Sequence, residues 1–261
     1  MQTELTLTFS DSVAVVTLCP PEGKPPTLDV PLMDRLDGVC AEVEARSGNL
    51  VAVVLRSASP KFFCAGANLK VMETINADTI TPWVLRGHRL MNRLEALPVP
   101  VVAVVEGYAM GGGLELAMAC DLIFSSSTAR FGQSEARLGL VTGWGGAYRL
   151  SRRVGLSRAK EMAFTGRLVE AAEAASLGLT DWCGTSADLE QHLAGFLAAV
   201  RDNSRAAVRE MKAILATCGS TTIEENAEIE AAASRRCLTD GDAPARLEAF
   251  FAARRKSRPG S

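Results

Sequence analysis

The chain of 261 residues carries 28 Lys and Arg against 30 Asp and Glu, a formal net charge of −2, and 48% of its residues are hydrophobic. This length and apolar content are enough for a large folded domain with a buried core. The near balance of charges gives no overall attraction to nucleic acid or to an anionic membrane, so neither is predicted as a partner.

The amino terminus alternates apolar and polar residues and lacks a basic segment followed by an apolar one, which predicts a strand and not a signal peptide. No apolar run approaches the roughly 20 residues that a helix needs to cross a bilayer. The seven cysteines are odd in number and show no CxxC or CxxxH spacing. This pattern predicts buried free thiols in a reducing compartment, no metal site and a cytoplasmic protein.

The first elements predict a βαβ unit. Residues 4–18 indicate two strands around a Ser-Asp-Ser turn, and residues 31–46 have apolar positions at helical spacing. The apolar run 50–58 that follows is typical of a strand covered on both faces.

Strand and helix alternate less regularly as far as about residue 185. The predicted segments are a helical region at about 73–96, a buried strand at 98–108, a helix at about 112–120, a strand at 121–127, and helices at about 150–165 and 170–177. From about residue 187 the chain is rich in Ala, Glu and Arg and has no strand pattern. We therefore predict an α/β core over residues 1–190, containing the active site, and a helical region over 191–261.

Two loops combine small residues with a strand before them and a helix after them. In GYAMGGGLELAMACD, residues 107–121, the glycines precede a helix, whose first backbone N–H groups can hold negative charge. The loop FFCAGANLK has the same construction, with Asn68 as the expected helix cap. Each loop is either a tight turn or a donor to a developing oxyanion, and together they could supply two amides to one oxygen.

Two glutamates follow these features. Glu115 lies about one turn into its helix among apolar neighbours, which predicts a low-dielectric site and a raised pKa. Glu135 lies in the loop after the next strand. It either caps the following turn, pairs with Arg137, or faces the same pocket as Glu115 if both strands return to one end of the sheet.

These stretches together resemble the crotonase family, the enoyl-CoA hydratase/isomerase superfamily. FFCAGANL is similar to its FxAGADL loop and GYAMGGGLELAMACD to its GxxxGGGxELAxxCD motif. FGQSEARLGL with GWGGAYRL is similar to FGxPExxLGxxPGxGGTxRL, and FTGRLVEAAEAASLGL and ARLEAFFAARR resemble later family stretches. The resemblance runs from near residue 10 to near residue 256.

The resemblance implies a spiral of ββα units followed by a C-terminal helical region that serves oligomerisation and forms part of the CoA site. Relatives pack as trimers, usually hexamers built as dimers of trimers, so a homotrimer or hexamer is expected. The apolar stripes of residues 191–261 are consistent with such packing.

The resemblance also implies a reaction. The backbone amides of Ala67 and Gly112 would hold the thioester oxygen of an acyl-CoA, and Glu115 and Glu135 would orient water for addition to a 2-enoyl-CoA. The product would be a 3-hydroxyacyl-CoA, or the reaction would run in reverse. No metal or redox cofactor is required, since the CoA thioester is the substrate carrier.

The resemblance also implies further substrate-binding candidates. In relatives the adenine of CoA lies near the AGAD loop, and basic residues close to the C-terminus help to bind its phosphates. These candidates are Lys24, Ala65, Asn68, Leu69, Trp144, Arg254, Arg255 and Lys256. A solvated basic end is the alternative for the last three. Trp144, in the segment that departs from PGxGGT, would either narrow the acyl pocket or serve in packing. The acyl tail is expected to contact the helical region at about 73–96, including Met72, Trp83, Leu85, Leu90 and Met91. The alternative is that these residues belong to the core, as Met and aromatic residues at helical spacing more often do.

The alternatives within the superfamily are a 3,2-enoyl-CoA isomerase, another crotonase-type lyase, and an enzyme that acts on acyl-carrier-protein thioesters. The presence of both glutamates favours the hydratase. Outside enzymes, the alternative is a scaffold or RNA-binding homologue, which the near-neutral charge disfavours.

Overall fold

The computed structural model describes residues 2–257, and the chain forms two compact units, Met1–Phe196 and Leu197–Ser261. The strands are β1 (Glu4–Ser10), β2 (Val13–Cys19), β3 (Ala52–Ser57), β4 (Phe62–Cys64), β5 (Val101–Val105), β6 (Tyr108–Met110), β7 (Leu122–Ser126), β8 (Arg130–Gly132), β9 (Leu168–Glu170) and β10 (Trp182–Gly184). The α-helices are α1 (Val30–Arg46), α2 (Leu69–Met72), α3 (Ile80–Glu95), α4 (Gly112–Met118), α5 (Gly146–Val154), α6 (Leu156–Thr165), α7 (Ala171–Ser176), α8 (Ser186–Asp202), α9 (Arg205–Thr217), α10 (Ile223–Thr239) and α11 (Ala243–Ser257). The assignment of residues 1–190 and 191–261 to a core and a helical region stays a prediction.

The larger sheet of the first unit has six strands in the order β1-β2-β3-β5-β7-β10. Strands β1 and β2 form an antiparallel hairpin, and every later neighbour pairs in parallel. The strand Val101–Val105 is buried at every position, because helices cover parallel sheets on both faces.

A second sheet of four strands has the order β4-β6-β8-β9. Strands β4, β6 and β8 are parallel neighbours, and β9 closes the sheet in the antiparallel direction. Each of β3, β5 and β7 is therefore followed by one short strand of the second sheet and then by helical structure. The predicted α/β class and the spiral of ββα units are confirmed.

The loops that leave β4, β6 and β8 start at the same edge of the second sheet, because parallel neighbouring strands end together. A backbone hydrogen bond of 2.8 Å from Gly111 N to Gly132 O joins two of these loops. Residues far apart along the chain thus meet at one end of the unit.

Two predicted helices differ from the structure. The segment at about 150–165 forms two helices that break at Gly155, whose φ of 76° and ψ of 156° interrupt the helix. The region at about 73–96 is helical only from Ile80. The side chain of Asn76 accepts hydrogen bonds from the backbone N–H groups of Asp78 and Thr79, and this local turn replaces the first helical turns.

Over the residues that the structure describes, the C-terminal unit consists of helices and their connecting turns, as predicted. A reciprocal cap of Thr222 and Glu225 starts α10, and the Arg236 guanidinium lies 2.6 Å from the Glu210 carboxylate, which joins α10 to α9. Over residues 2–257 no helix combines the length and apolar character that a membrane crossing requires. No cluster of three or more potential metal ligands occurs in the same part of the chain.

Candidate active site

The carboxyl ends of β4, β6 and β8 surround a cavity of about 240 Å³. Its walls include the two small-residue loops, 65–67 and 111–112, and the two glutamates Glu115 and Glu135. The segment 140–144 and part of α3 complete the lining. The structure therefore brings together the four residues predicted to form the reaction centre.

Gly66 allows the two loops to touch. It has a φ of 91°, and a Cβ at this position would lie 2.8 Å from Met110 O and 3.0 Å from Gly112 N. A side chain here would separate the loops. The neighbouring N–H groups of Ala65 and Asn68 donate to backbone carbonyls, whereas the N–H of Ala67 has no acceptor within residues 2–257.

The second amide belongs to Gly112, the first residue of α4. As the first helical residue it has no intrahelical acceptor for its N–H, and the helix dipole adds partial positive charge there. The preceding Gly111, with a φ of 49° and ψ of −122°, makes the sharp turn from β6 into the helix. The amides of Ala67 and Gly112 thus belong to adjoining loops on one cavity, as the predicted oxyanion hole requires.

Glu115 is 1% exposed, and its Oε1 accepts hydrogen bonds from Trp144 N at 2.8 Å and Gly146 N at 2.7 Å. Burial raises the pKa of this carboxyl to about 7, and the negative charge of Glu135 acts in the same direction. The two backbone donors and the positive charge of Arg149 oppose this rise of the pKa. A carboxyl that titrates near neutrality can both take and give a proton at physiological pH.

Glu135 begins the short 3-10 helix Glu135–Leu138 and lines the cavity. Gln133 donates a hydrogen bond of 2.9 Å from Nε2 to Glu135 Oε1. Burial raises the pKa of the Glu135 carboxyl as well. Its Oε2 is buried and has no hydrogen-bond partner among the described residues, so this oxygen is left for a ligand or a water molecule.

Sequence reasoning missed Gln133, which is 1% exposed and donates to Glu135 Oε1. The point that a Cβ on Gly146 would occupy is 2.8 Å from Glu115 Oε1 and 3.0 Å from Gln133 Nε2. The signal was its place in the FGQSE segment, two residues before the second glutamate.

Arg149 was also missed. It is 4% exposed, donates from Nη1 to Trp144 O at 3.0 Å, and binds Glu95 Oε2 through Nε and Nη2 at 3.1 and 2.6 Å. Its Nη2 also donates to Asn92 Oδ1 at 2.8 Å. Arg149 therefore ties the loop that carries the Trp144 donor to helix α3. Its match to the arginine of the PGxGGTxRL pattern was the available signal.

Trp144 lines the cavity and is 2% exposed. Its ring centroid lies 5.3 Å from that of Trp83, with the planes at 64°. Of the residues expected to contact an acyl tail, Met72 and Trp83 line the cavity. The other three lie outside the lining: Leu90 and Met91 belong to the hydrophobic core, which was the alternative for them, and Leu85 is exposed.

Ala65 and Leu69 line the cavity. Asn68 caps α2, as predicted, since its Oδ1 accepts from Lys70 N at 3.0 Å, but its side chain is not part of the lining. Lys24 is exposed and lies outside the cavity lining.

The remaining candidates lie at the C-terminus. Arg254 and Arg255 are exposed on α11, and the side chain of Lys256 lies outside the described residues. The roles of these residues and of Lys24 in CoA binding stay predictions.

Comparison with known proteins agrees with the fold. A family model described as enoyl-CoA hydratase/isomerase matches residues 8–256, and the chain belongs to this family. It is 34% identical over 243 residues to a short-chain-enoyl-CoA hydratase of Clostridium acetobutylicum, which covers 93% of this chain and 92% of that protein. The crystal structure of an enoyl-CoA hydratase from Bacillus anthracis superposes with a TM-score of 0.88 at 30% identity, covering 98% of both chains. A putative enoyl-CoA hydratase from Thermobifida fusca, solved in complex with acetoacetyl-CoA, has a TM-score of 0.81 at 27% identity and covers 90% of this chain and 95% of that one.

Proposed function

We propose that this chain hydrates a 2-enoyl-CoA to a 3-hydroxyacyl-CoA, or catalyses the reverse dehydration. The observation that carries the proposal is the convergence of Glu115, Glu135 and the amides of Ala67 and Gly112 on one cavity. The similarity to proteins named enoyl-CoA hydratase supports it.

The amides act on the thioester. Addition of water to C3 of the enoyl group pushes electrons through C2 toward the thioester oxygen, where negative charge develops. The N–H groups of Ala67 and Gly112 stabilise this enolate charge, which is absent in the ground state. Removing one such donor typically costs about 100- to 1,000-fold in kcat.

The glutamates move the protons. One oxygen of each carboxylate is held, Glu115 Oε1 by two backbone N–H groups and Glu135 Oε1 by Gln133. The second oxygens remain for a water molecule placed between them. As the water oxygen bonds to C3, one glutamate in its ionised form takes a proton from the water. The other glutamate, in its protonated form, gives a proton to C2. The pKa of about 7 keeps both forms of Glu115 accessible near neutral pH, and burial raises the pKa of Glu135 as well.

The substrate carrier is proposed to be CoA, as in the acetoacetyl-CoA complex of the Thermobifida fusca protein. The proposed steps use carboxyls, backbone amides and water, and they call for no metal or redox cofactor. We further propose a homotrimer or a dimer of trimers in the cytoplasm. Self-association is supported by apolar side chains that are exposed on α11, those of Leu247, Phe250 and Phe251. Light scattering after size-exclusion chromatography measures the mass of the assembly and so tests this proposal.

The decisive experiment follows the loss of enoyl absorbance when the purified protein is mixed with crotonyl-CoA. Glu115→Gln and Glu135→Gln are each expected to lower kcat by about 100- to 10,000-fold. Glu42→Gln, on the exposed face of α1, is the matched control and should leave the rate unchanged. Absence of turnover on every 2-enoyl-CoA would refute the proposal, and deuterium exchange at C2 without hydration would indicate an isomerase.

A further inference from the structure

The indole of Trp144 is clamped between two helices at points where both have glycine. A Cβ on Gly112 would lie 2.2 Å from Cζ3 of the ring, and a Cβ on Gly87 in α3 would lie 2.0 Å from Cδ1. Trp83 packs against the ring edge-on from a third direction. Because a side chain at either glycine would overlap the indole, both positions are shaped to admit this ring and to hold it in place.

The clamped ring adjoins the proposed reaction centre. Gly112 presents one of the two proposed oxyanion amides, so the indole touches the residue that would hold the thioester oxygen. The cavity of about 240 Å³ is smaller than the roughly 300–1,000 Å³ typical of sites for drug-sized ligands. An acyl chain that starts at the thioester therefore reaches the indole within a short distance of its reacting carbons.

The remaining lining restricts the chemistry of the acyl group. Met72, Ile80 and Val84 are apolar, and Glu115 and Glu135 are the charged side chains among the described residues of the lining. An acyl group that ends in a carboxylate would meet two carboxyls and no cation in this lining. Burial of such an unpaired charge is strongly unfavourable.

We propose that Trp144 is the end wall of the acyl pocket and that it limits the substrate to short, straight 2-enoyl groups without a charged end. This inference rests on the proposed function and names the substrate class of the same site. Trp144 thus determines specificity through its side chain. The Gly87 and Gly112 backbones keep the wall from moving aside when a longer chain enters.

The first test is the chain-length profile of the unmodified protein. The value of kcat/KM is measured for crotonyl-, hexenoyl-, octenoyl- and decenoyl-CoA, and for glutaconyl-CoA as the acidic probe. We expect the highest value for crotonyl-CoA and a fall of about tenfold or more at the chain length that first reaches the ring. Equal values for crotonyl- and decenoyl-CoA, or efficient turnover of glutaconyl-CoA, would overturn the inference whatever the variants show.

The second test replaces the indole of Trp144 with smaller side chains. Trp144→Ala should raise the ratio of kcat/KM for octenoyl-CoA to that for crotonyl-CoA by about tenfold or more, and Trp144→Phe should raise it less. Trp182→Phe removes an indole that lies outside the cavity lining, so it controls for the loss of a tryptophan and should leave the ratio unchanged.

The outcomes separate the two proposals. Hydration by the unmodified protein with an unchanged ratio in Trp144→Phe and Trp144→Ala would show that the ring only packs, and would sink the end-wall inference alone. Absence of hydration on every chain length would refute the proposed function instead. If Trp144→Ala fails to fold, Trp144→Phe and the profile of the unmodified protein still decide the matter.

Discussion

The backbone N–H of Trp144 donates a hydrogen bond of 2.8 Å to Oε1 of Glu115, and the same residue lines the cavity. The two proposals therefore give one residue a part in proton transfer through its main chain and in substrate selection through its side chain. Because the donor belongs to the backbone, every residue other than proline keeps it at this position. Chain-length preference can thus change at this position without removal of the hydrogen bond that orients Glu115.

Replacing Glu115 should stabilise the fold above neutral pH. Burial raises the pKa of this carboxyl from 4.5 to about 7, so its ionised form is disfavoured in the folded state. Stability therefore falls as pH rises from the unfolded value to the folded one, and the difference in pKa corresponds to about 3 kcal/mol. Gln keeps an oxygen that can accept both backbone hydrogen bonds and carries no charge.

The measurement is the free energy of unfolding of Glu115→Gln and of the unmodified protein, by urea titration between about pH 5 and about pH 8. The advantage of the variant should grow with pH by an amount on the order of 3 kcal/mol. A constant or shrinking difference over this range would show that the folded-state pKa of Glu115 is not raised. A gain in stability on loss of an active-site charge is a common form of the trade-off between stability and activity.

Arg149 is expected to influence the pH at which kcat/KM rises on the acid side of its pH profile. Its positive charge lowers the pKa of Glu115, against the larger effect of burial. Arg149→Met removes that charge, so the limb on which kcat/KM rises with the ionisation of Glu115 should move to higher pH. Arg149→Lys keeps the charge but loses the forked contacts to Glu95 and Trp144 O, so it should lower the rate while leaving the limb nearly in place.

The experiment compares complete profiles of kcat/KM against pH for the two variants and the unmodified protein. An acid limb at the same pH in Arg149→Met would exclude the electrostatic role. Equal profiles and equal rates for Met and Lys would show that Arg149 acts only in packing. Unfolding curves for both variants establish that the profiles come from folded protein.

Five strands of the large sheet were predictable because they carry strong patterns, whereas the sixth, β10, is three residues long and was missed. Val101–Val105 is a continuous apolar run, which is typical of a buried parallel strand. The second sheet is different, since each of its strands is three residues long, too short for periodicity to be visible. Its existence followed only from the resemblance to crotonases. The break at Gly155 and the Asn76 turn were missed because local hydrogen bonding and backbone conformation override a helical pattern of apolar residues.

The reaction centre was predictable to a similar degree. Glu115 stood out because a carboxylate is costly among apolar neighbours, and the structure confirms its burial. Gln133 and Arg149 do not stand out by apolar neighbours in the same way. A polar residue beside a loop is expected to be solvated until its partners are known. The partners of Arg149 are Glu95 and Asn92, far from it in sequence, and only the packing of α3 against α5 brings them together.

Gly66→Ala should impair catalysis more than its backbone conformation alone explains. The added methyl group would lie 2.8 Å from Met110 O and 3.0 Å from Gly112 N, and would push apart the loops that carry the two amides. We expect kcat on crotonyl-CoA to fall by about 100-fold or more, the typical cost of losing one donor of an oxyanion hole. Gly219→Ala is the matched control, since Gly219 has a φ of 89° against 91° for Gly66 and no neighbour within 4 Å. A similar loss of kcat in both variants would contradict the role assigned to loop contact.

The effect of Gly87→Ala on the free energy of unfolding should change sign with the residue at position 144. Gly87 lies inside α3, where alanine normally favours the helix by about 1 kcal/mol, yet its Cβ would lie 2.0 Å from the Trp144 ring. With Trp144 present, Gly87→Ala is therefore expected to lower the free energy of unfolding by about 1–3 kcal/mol, the usual cost of overpacking. In the Trp144→Ala background the clash is gone, so the same substitution should raise it by up to about 1 kcal/mol. A double-mutant cycle of urea unfolding measures the coupling, and additive effects of the two substitutions would show that Gly87 does not hold the indole in place.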